Sequence, residues 1–103
     1  MAEQDPTDLK TQERDKAKAE RKQALESEVA AEDIKWLMGH KQGRRIAYRQ
    51  LARAGVWQSS FNTNNAVMSF NEGRRDHGLA FLDQVMAHCP EQYLVMLKEH
   101  KAT

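Results

Sequence analysis

From Thr7 to Glu28 the chain is almost entirely Lys, Arg, Glu, Asp, Gln and Ala, with Leu9 and Leu25 as its only large aliphatic residues. These residues favour helix, but they supply no face that could enter a core. Spacings such as Glu13 with Ala17, or Asp15 with Ala19, do not sustain a heptad seam, so a coiled coil is not expected of this segment alone. A solvated helix or a mobile arm is expected instead. Whatever core exists must come from the rest of a 103-residue chain, long enough for one domain with a modest core. The expected organisation is a charged arm over residues 1–31 and a helical domain over 32–103.

Charge divides at the same place. Residues 1 to 33 hold ten acids and six bases, whereas residues 34 to 103 hold five acids and ten bases, an asymmetry that the net charge of +1 conceals. Cys89 is the only cysteine, which rules out an internal disulfide and leaves the fold to stand on packing in a reducing, intracellular setting. No apolar run approaches the ~20 residues that span a bilayer. Met1 to Lys10 lacks the basic start and apolar stretch of a secretory signal, so a soluble protein is expected.

Beyond Ala31 the pattern changes. Ile34, Trp36, Leu37 and Met38 lie within five residues and predict a short helix. Gly39 and Gly43 bracket a break, after which Arg44 to Ala54 reads as a helix stopped by Gly55, a good left-handed cap. On that helix Ala47, Leu51 and Ala54 share one face, flanked by Tyr48. Val56 to Phe61 reads as a loop that docks into the core through Val56, Trp57 and Phe61, and Asn62 to Asn65 is rich in turn and cap formers. The longest periodic stretch puts Val67, Phe70, Phe81, Leu82, Val85 and Cys89 on one stripe of a helix running to about His88. Pro90 ends it and suits the first turn of a last helix, whose apolar side is Tyr93, Leu94, Met96 and Leu97. The fold class is all-α, a small bundle of about four helices preceded by the charged arm.

Two near-copies of one motif, Gln42-Gly43-Arg44-Arg45 and Glu72-Gly73-Arg74-Arg75, lie thirty residues apart on these helices. On the helical faces above, Arg44 and Arg74 point inward, so each needs a partner, because an unpaired buried charge costs several kcal/mol even after relaxation. Glu32, Asp33 and Glu72 are the nearby carboxylates, with helix-end carbonyls as further acceptors. Gly43 and Gly73, with Asp33 and Glu72, complete the expected structural set. Arg45, Arg49 and Arg53, spaced by four, form an outward ridge, and Arg75 also points outward. Arginines without interleaved acids suit phosphate or an acidic surface, against the plainer reading of a solvated helix face.

Other chemistry has little support. His40, His77, His88 and His100 are scattered, and with Cys89 they show no paired zinc-ligand spacing, so no metal is expected. His77 reads as a core histidine. Ser59, Ser60 and Cys89 sit in no nucleophile signature. No Gly-rich loop follows a strand, which excludes the usual nucleotide-binding turns, and no cofactor or catalytic residue is expected.

The succession Asp33-Ile34-Lys35-Trp36-Leu37-Met38, Gly43-Arg44-Arg45, Ala54-Gly55-Val56-Trp57, Ser60-Phe61, Ser69-Phe70-Asn71-Glu72-Gly73-Arg74-Arg75 and Pro90-Glu91-Gln92-Tyr93 resembles a family of small helical proteins of short-tailed bacteriophages, typified by one from a Bordetella phage. The likeness covers about residues 32 to 100 and leaves out the arm. It implies a virion-associated protein, made in the host cytoplasm and sited inside the head or near the portal and tail, that is not an enzyme. The expected function is that of a small, multi-copy internal or ejection protein of the portal and tail channel that takes part in genome delivery. Its expected partners are further copies of itself, the portal and tail proteins, DNA, and the host envelope after ejection.

In such an assembly the arm would donate Glu13, Glu20, Glu26 and Glu28 to a neighbour's Arg45, Arg49 and Arg53. Exposed ion pairs contribute only ~0–1 kcal/mol each, so Trp57 and Phe61 are expected to supply affinity. The alternatives are a DNA-binding packaging subunit, for which no short helix-turn-helix is evident, and an assembly or scaffolding protein.

Overall fold

The computed structural model describes residues 6–101, which form four helices and, among those residues, no strand: α1 (Pro6–Met38), α2 (Lys41–Ala54), α3 (Asn65–His88) and α4 (Pro90–Glu99). The all-α class is as expected. The chain divides into two units, one ending at Ala30 and the other beginning at Ala31.

The first unit is helical. From Pro6 to Ala30 every residue is exposed except the half-buried Ala17, so helix propensity and local pairs carry it. The local pairs include Lys22 with Glu26 at 4.0 Å and the Thr11 hydroxyl donating to the Thr7 carbonyl at 2.9 Å. This is the solvated-helix alternative for the arm. The short helix expected around Ile34 to Met38 is instead the last turn and a half of the same 33-residue helix. Composition changes at Ala31 while backbone preference does not, and only a backbone breaker ends a helix.

In the second unit the core is Ile34, Met38, Ala47, Leu51, Val56, Val85, Cys89 and Met96, with Tyr48, Leu79, Phe81, Leu82, Tyr93 and Leu97 packed around it. α2, α3 and α4 pack pairwise on one another. The α1–α2 break is a turn at Gly39–His40. There the His40 Nδ1 donates to the Trp36 carbonyl at 2.7 Å, closing the end of α1.

Gly43 does not mark a break. It lies inside α2 and is buried where that helix crosses the end of α1; a Cβ there would lie 1.8 Å from the Leu37 carbonyl oxygen. Gly55 ends α2 as expected, at φ 77°. Its N–H reaches the Ala52 carbonyl at 3.1 Å and the Val56 N–H reaches Leu51 at 3.3 Å, the paired bonds of a Schellman cap. Val56 and Leu51 are both buried.

Asn64 caps α3, its side-chain oxygen accepting from the N–H groups of Ala66 and Val67. The core stripe of α3 differs from the expected one. Its inward positions are Met68, Asn71, Arg75, Gly78, Leu82, Val85 and Cys89, alternating by four and three, whereas Val67 (42 % exposed) and Phe70 (68 %) face outward. Hydrophobicity follows the outward aromatic edge in the first half of this helix, while Asn71 and Arg75 take the inward places. Gly78 makes that packing possible, since a Cβ there would lie 2.5 Å from the Ala54 Cβ and 2.7 Å from a Val56 methyl. Pro90 opens α4, on which Met96 is fully buried and Leu94 is exposed.

Candidate functional site

The two Gly-Arg-Arg motifs occupy unlike environments. Arg44 is the inward arginine of the first motif, with 12 % of its side chain exposed. Its Nε donates to Glu99 Oε1 at 2.5 Å and its Nη2 to Glu99 Oε2 at 3.2 Å, a two-point fork, while Nη1 donates to the Met38 carbonyl at 2.9 Å and to Gln92 at 3.4 Å. One side chain thus ties α2 to α4 and satisfies a carbonyl at the end of α1. The helix-end carbonyl was anticipated. The carboxylate was not: Glu32 pairs with Lys35 at 3.6 Å on the surface, and Asp33 and Glu72 are exposed without an ion-pair partner among the described residues. Glu99 lies 55 residues along the chain, beyond the reach of local spacing. Their bond holds the Glu99 carboxyl below the usual carboxylate range and raises the Arg44 guanidinium.

The second motif is reversed. Arg74 is exposed, with its guanidinium carbon 5.7 Å from the centre of the Phe70 ring, and the half-buried arginine is Arg75. The cause is the stripe shift in α3: a register defined by Phe70 and Phe81 turns Arg74 inward, whereas the actual inward stripe contains Arg75 and Gly78. Gly73 has open space around it and, unlike Gly43, no contact that requires glycine.

Two surfaces remain as candidates for function. One is an open groove of about 780 Å³ between α2 and α3, floored by Leu37, Ala47, Leu51 and Phe81 and edged by the exposed Ile46 and Phe70. Arg53, Arg74 and His77 stand at its rim; His77 is thus an exposed rim residue and not the core histidine expected. Arg49 and Arg45 follow Arg53 back along α2, one turn apart, and all three ridge arginines are exposed with no ion pair to any described residue. An apolar channel bordered by unneutralised cations is a contiguous surface that apolar and acidic groups would complement.

The other surface is an aromatic cluster behind α2. Tyr48 stacks on His100 with ring centres 4.1 Å apart and 8° between planes, and lies 5.2 Å from Trp57, whose indole N–H donates to the Tyr93 hydroxyl at 3.0 Å. Trp57 is still 41 % exposed, and Phe61, at 73 %, does not dock into the core. Buried among these elements, the Cys89 thiol is held above its usual pKa by desolvation first and by the nearby Glu91 charge second. Among the described residues no group of three or more His, Cys, Asp or Glu side chains converges as a metal site would require, and no helix is long and apolar enough to cross a membrane.

This helical body, from Ile34 to Lys98, is also where the comparison with known families falls: residues 34–98 match the family described as Bbp19-like phage protein. The chain belongs to the Bbp19-like phage protein family. The match covers the core, the Arg44 fork apart from Glu99, and both Gly-Arg-Arg motifs, and it leaves out the charged arm. No curated protein and no solved structure matches the chain. As a Bbp19-like chain, this is a phage protein whose body carries an apolar groove between α2 and α3 and an aromatic cluster of Tyr48, Trp57, Tyr93 and His100.

Proposed function

We propose that this Bbp19-like protein is a structural component of the phage particle, not an enzyme: a small internal or ejection protein, present in many copies at the portal and tail channel, that takes part in genome delivery. The observation that carries the reading is the arginine-rimmed groove. A 12-kDa chain that leaves about 780 Å³ of apolar channel open to solvent has a contact surface to be covered, and a second copy of the chain has the matching element. Leu25 and Val29 stand one turn apart on the acidic arm, both more than half exposed, with Glu26 and Glu28 beside them. Laid into a neighbour's groove, the two aliphatics meet Ile46 and Phe70 while the two carboxylates reach the Arg53–Arg49–Arg45 ridge. Repetition of that contact builds a ring or tube from small units.

Mass spectrometry of purified particles before and after genome release tests this directly. The expected result is that the protein is present in full particles and depleted from emptied ones. Its absence from full particles refutes the reading, and its retention after release points to a fixed head component. The contact itself predicts a mass that rises with concentration for the full chain and stays monomeric for Phe70→Glu. The second reading, DNA packaging, draws on the same unpaired ridge; it predicts duplex binding that falls steeply with salt and is abolished when Arg45, Arg49 and Arg53 are all changed to Glu.

A further inference from the structure

The reversed second motif also lines a second cavity, which shares Arg74 with the groove. Below the end of α2 lies a small polar pocket of about 50 Å³, formed by the Ala54–Gly55 turn, by Gln58, Ser59 and Ser60 of the following loop, and by Asn71, Arg74 and Arg75 of α3. That volume holds more than one water. No carboxylate lines it. The Nε of Arg75 is buried here and has no hydrogen-bond partner among the described residues. A buried N–H on a cation left without an acceptor is costly, on the order of 1–3 kcal/mol, and native proteins seldom tolerate one without a reason.

The plain alternative is that Arg75 closes the carbonyl end of α2. The backbone already closes its Leu51 and Ala52 carbonyls, and the Arg75 Nε donates to none of the others. The Leu51 and Ala52 carbonyls accept from Gly55 and Val56, and the Gly55 carbonyl accepts from the Gln58 N–H at 3.1 Å. The loop's own acceptor is engaged too, since Ser59 Oγ accepts from the Phe61 N–H at 3.1 Å, which leaves the Ser59 hydroxyl proton to donate. The lining is rich in donors, two guanidinium groups, two hydroxyls and two side-chain amides from a loop and a helix, and although the amide and hydroxyl oxygens can also accept, the charged groups among them are all cations. A planar carboxylate is satisfied by a single guanidinium fork and would leave the serines and Asn71 idle. A tetrahedral oxyanion uses donors from several sides, and this lining comes from the end of α2, the loop after it and α3.

We propose that this pocket is a site for one phosphate group, with the Arg75 guanidinium as its central donor, Arg74 at the mouth, and Ser59, Ser60 and Asn71 completing the ring. Arg74 is well placed for that part: its Nη2 lies 3.8 Å from where a Gly55 Cβ would be, over the end of α2.

The test is titration of the full-length, isotope-labelled chain, followed through backbone amide signals, with inorganic phosphate and separately with a short DNA duplex. Saturable shifts confined to Ser59, Ser60, Asn71 and Arg75 are expected with phosphate. Arg75→Gln should weaken that binding about tenfold or more, the effect of losing one charge-assisted hydrogen bond, whereas Arg45→Gln on the ridge should leave it unchanged. If the phosphate comes from a nucleic-acid backbone, the duplex moves the same signals and Arg75→Gln lowers the salt slope by about one. If it comes from a small anion, only inorganic phosphate does so. Two results overturn the proposal: no saturable response of these amides to either probe, or an equal response at lower concentration to a peptide of residues 13–28, which would make the pocket a carboxylate site. Because the wild-type titration uses no variant, a folding defect in Arg75→Gln cannot obscure the answer.

Discussion

Alanine in place of the glycine of each Gly-Arg-Arg motif should change stability in opposite directions. Both glycines are helical and both have negative φ, so in each case Ala relieves the backbone-entropy cost of glycine, worth about 0.5–1 kcal/mol in a helix interior. At Gly73 nothing lies within 4 Å of the new methyl, so that gain should appear in full. At Gly43 the methyl would lie 1.8 Å from the Leu37 carbonyl oxygen and 2.8 Å from its carbon. Both atoms are backbone, so relief requires α1 and α2 to separate by over an ångström. That movement would also pull the Arg44 guanidinium away from the Met38 carbonyl.

Overpacking of this kind costs about 1–3 kcal/mol and sometimes more, so even after the propensity gain Gly43→Ala should lose roughly 2 kcal/mol. For a domain of this size each kcal/mol moves the melting temperature by about 4–8 °C. Thermal unfolding followed at the α-helical band should therefore show Gly73→Ala melting several degrees above the wild type and Gly43→Ala roughly 10 °C or more below it. Equal shifts, or a Gly43→Ala protein at least as stable as wild type, would refute the claim that these helices touch backbone to backbone at Gly43.

Three further outcomes follow from the geometry. Glu99 titrates below its usual range in the folded state, so its contribution to stability is present above the unfolded carboxyl pKa and is lost as pH falls through the depressed folded value; Glu99→Gln should flatten that part of the stability-versus-pH curve measured by denaturant unfolding. Cys89, buried at 2 % exposure with its thiol pushed up by desolvation, should react with alkylating reagents only at the rate of unfolding, giving far slower modification in buffer than in urea. Arg49→Gln should slightly stabilise the isolated protein, by about 0.2–0.5 kcal/mol for each like-charge i,i+4 contact removed with Arg45 and Arg53, while weakening any acidic or phosphate-bearing partner; a destabilised variant would mean that the ridge has a structural partner.

The helices of the body were legible because local rules govern them. The Schellman turn at Gly55, the Asn64 cap and the Pro90 start are decided by residues within a turn of one another, and the Ala47–Leu51 face is set by period alone. In the first half of α3 the same reasoning misled. There Val67 and Phe70, which the hydrophobic period turns inward, are exposed, Phe70 at the edge of an open groove, while Asn71 and Arg75 take the inward places beside a polar pocket. Periodicity assumes that apolar means buried, an assumption that fails where aromatic residues edge an open groove, as Phe70 does. Likewise the arginine pairs were visible as charge, but their partners were not, since Glu99 meets Arg44 only after α4 has folded back across 55 residues.

By itself, then, the sequence determined an all-helical body, a charged arm that cannot enter its core, the helix ends at Gly55, Asn64 and Pro90, and the likeness to a phage family over that body. Tertiary structure alone decided which arginine of the second pair faces inward, which glycine is indispensable, and where the exposed aromatics gather. The reason is one of range: helix propensity and capping act within about a turn, whereas burial, ion pairing and groove shape depend on which distant residue packing brings to the other side.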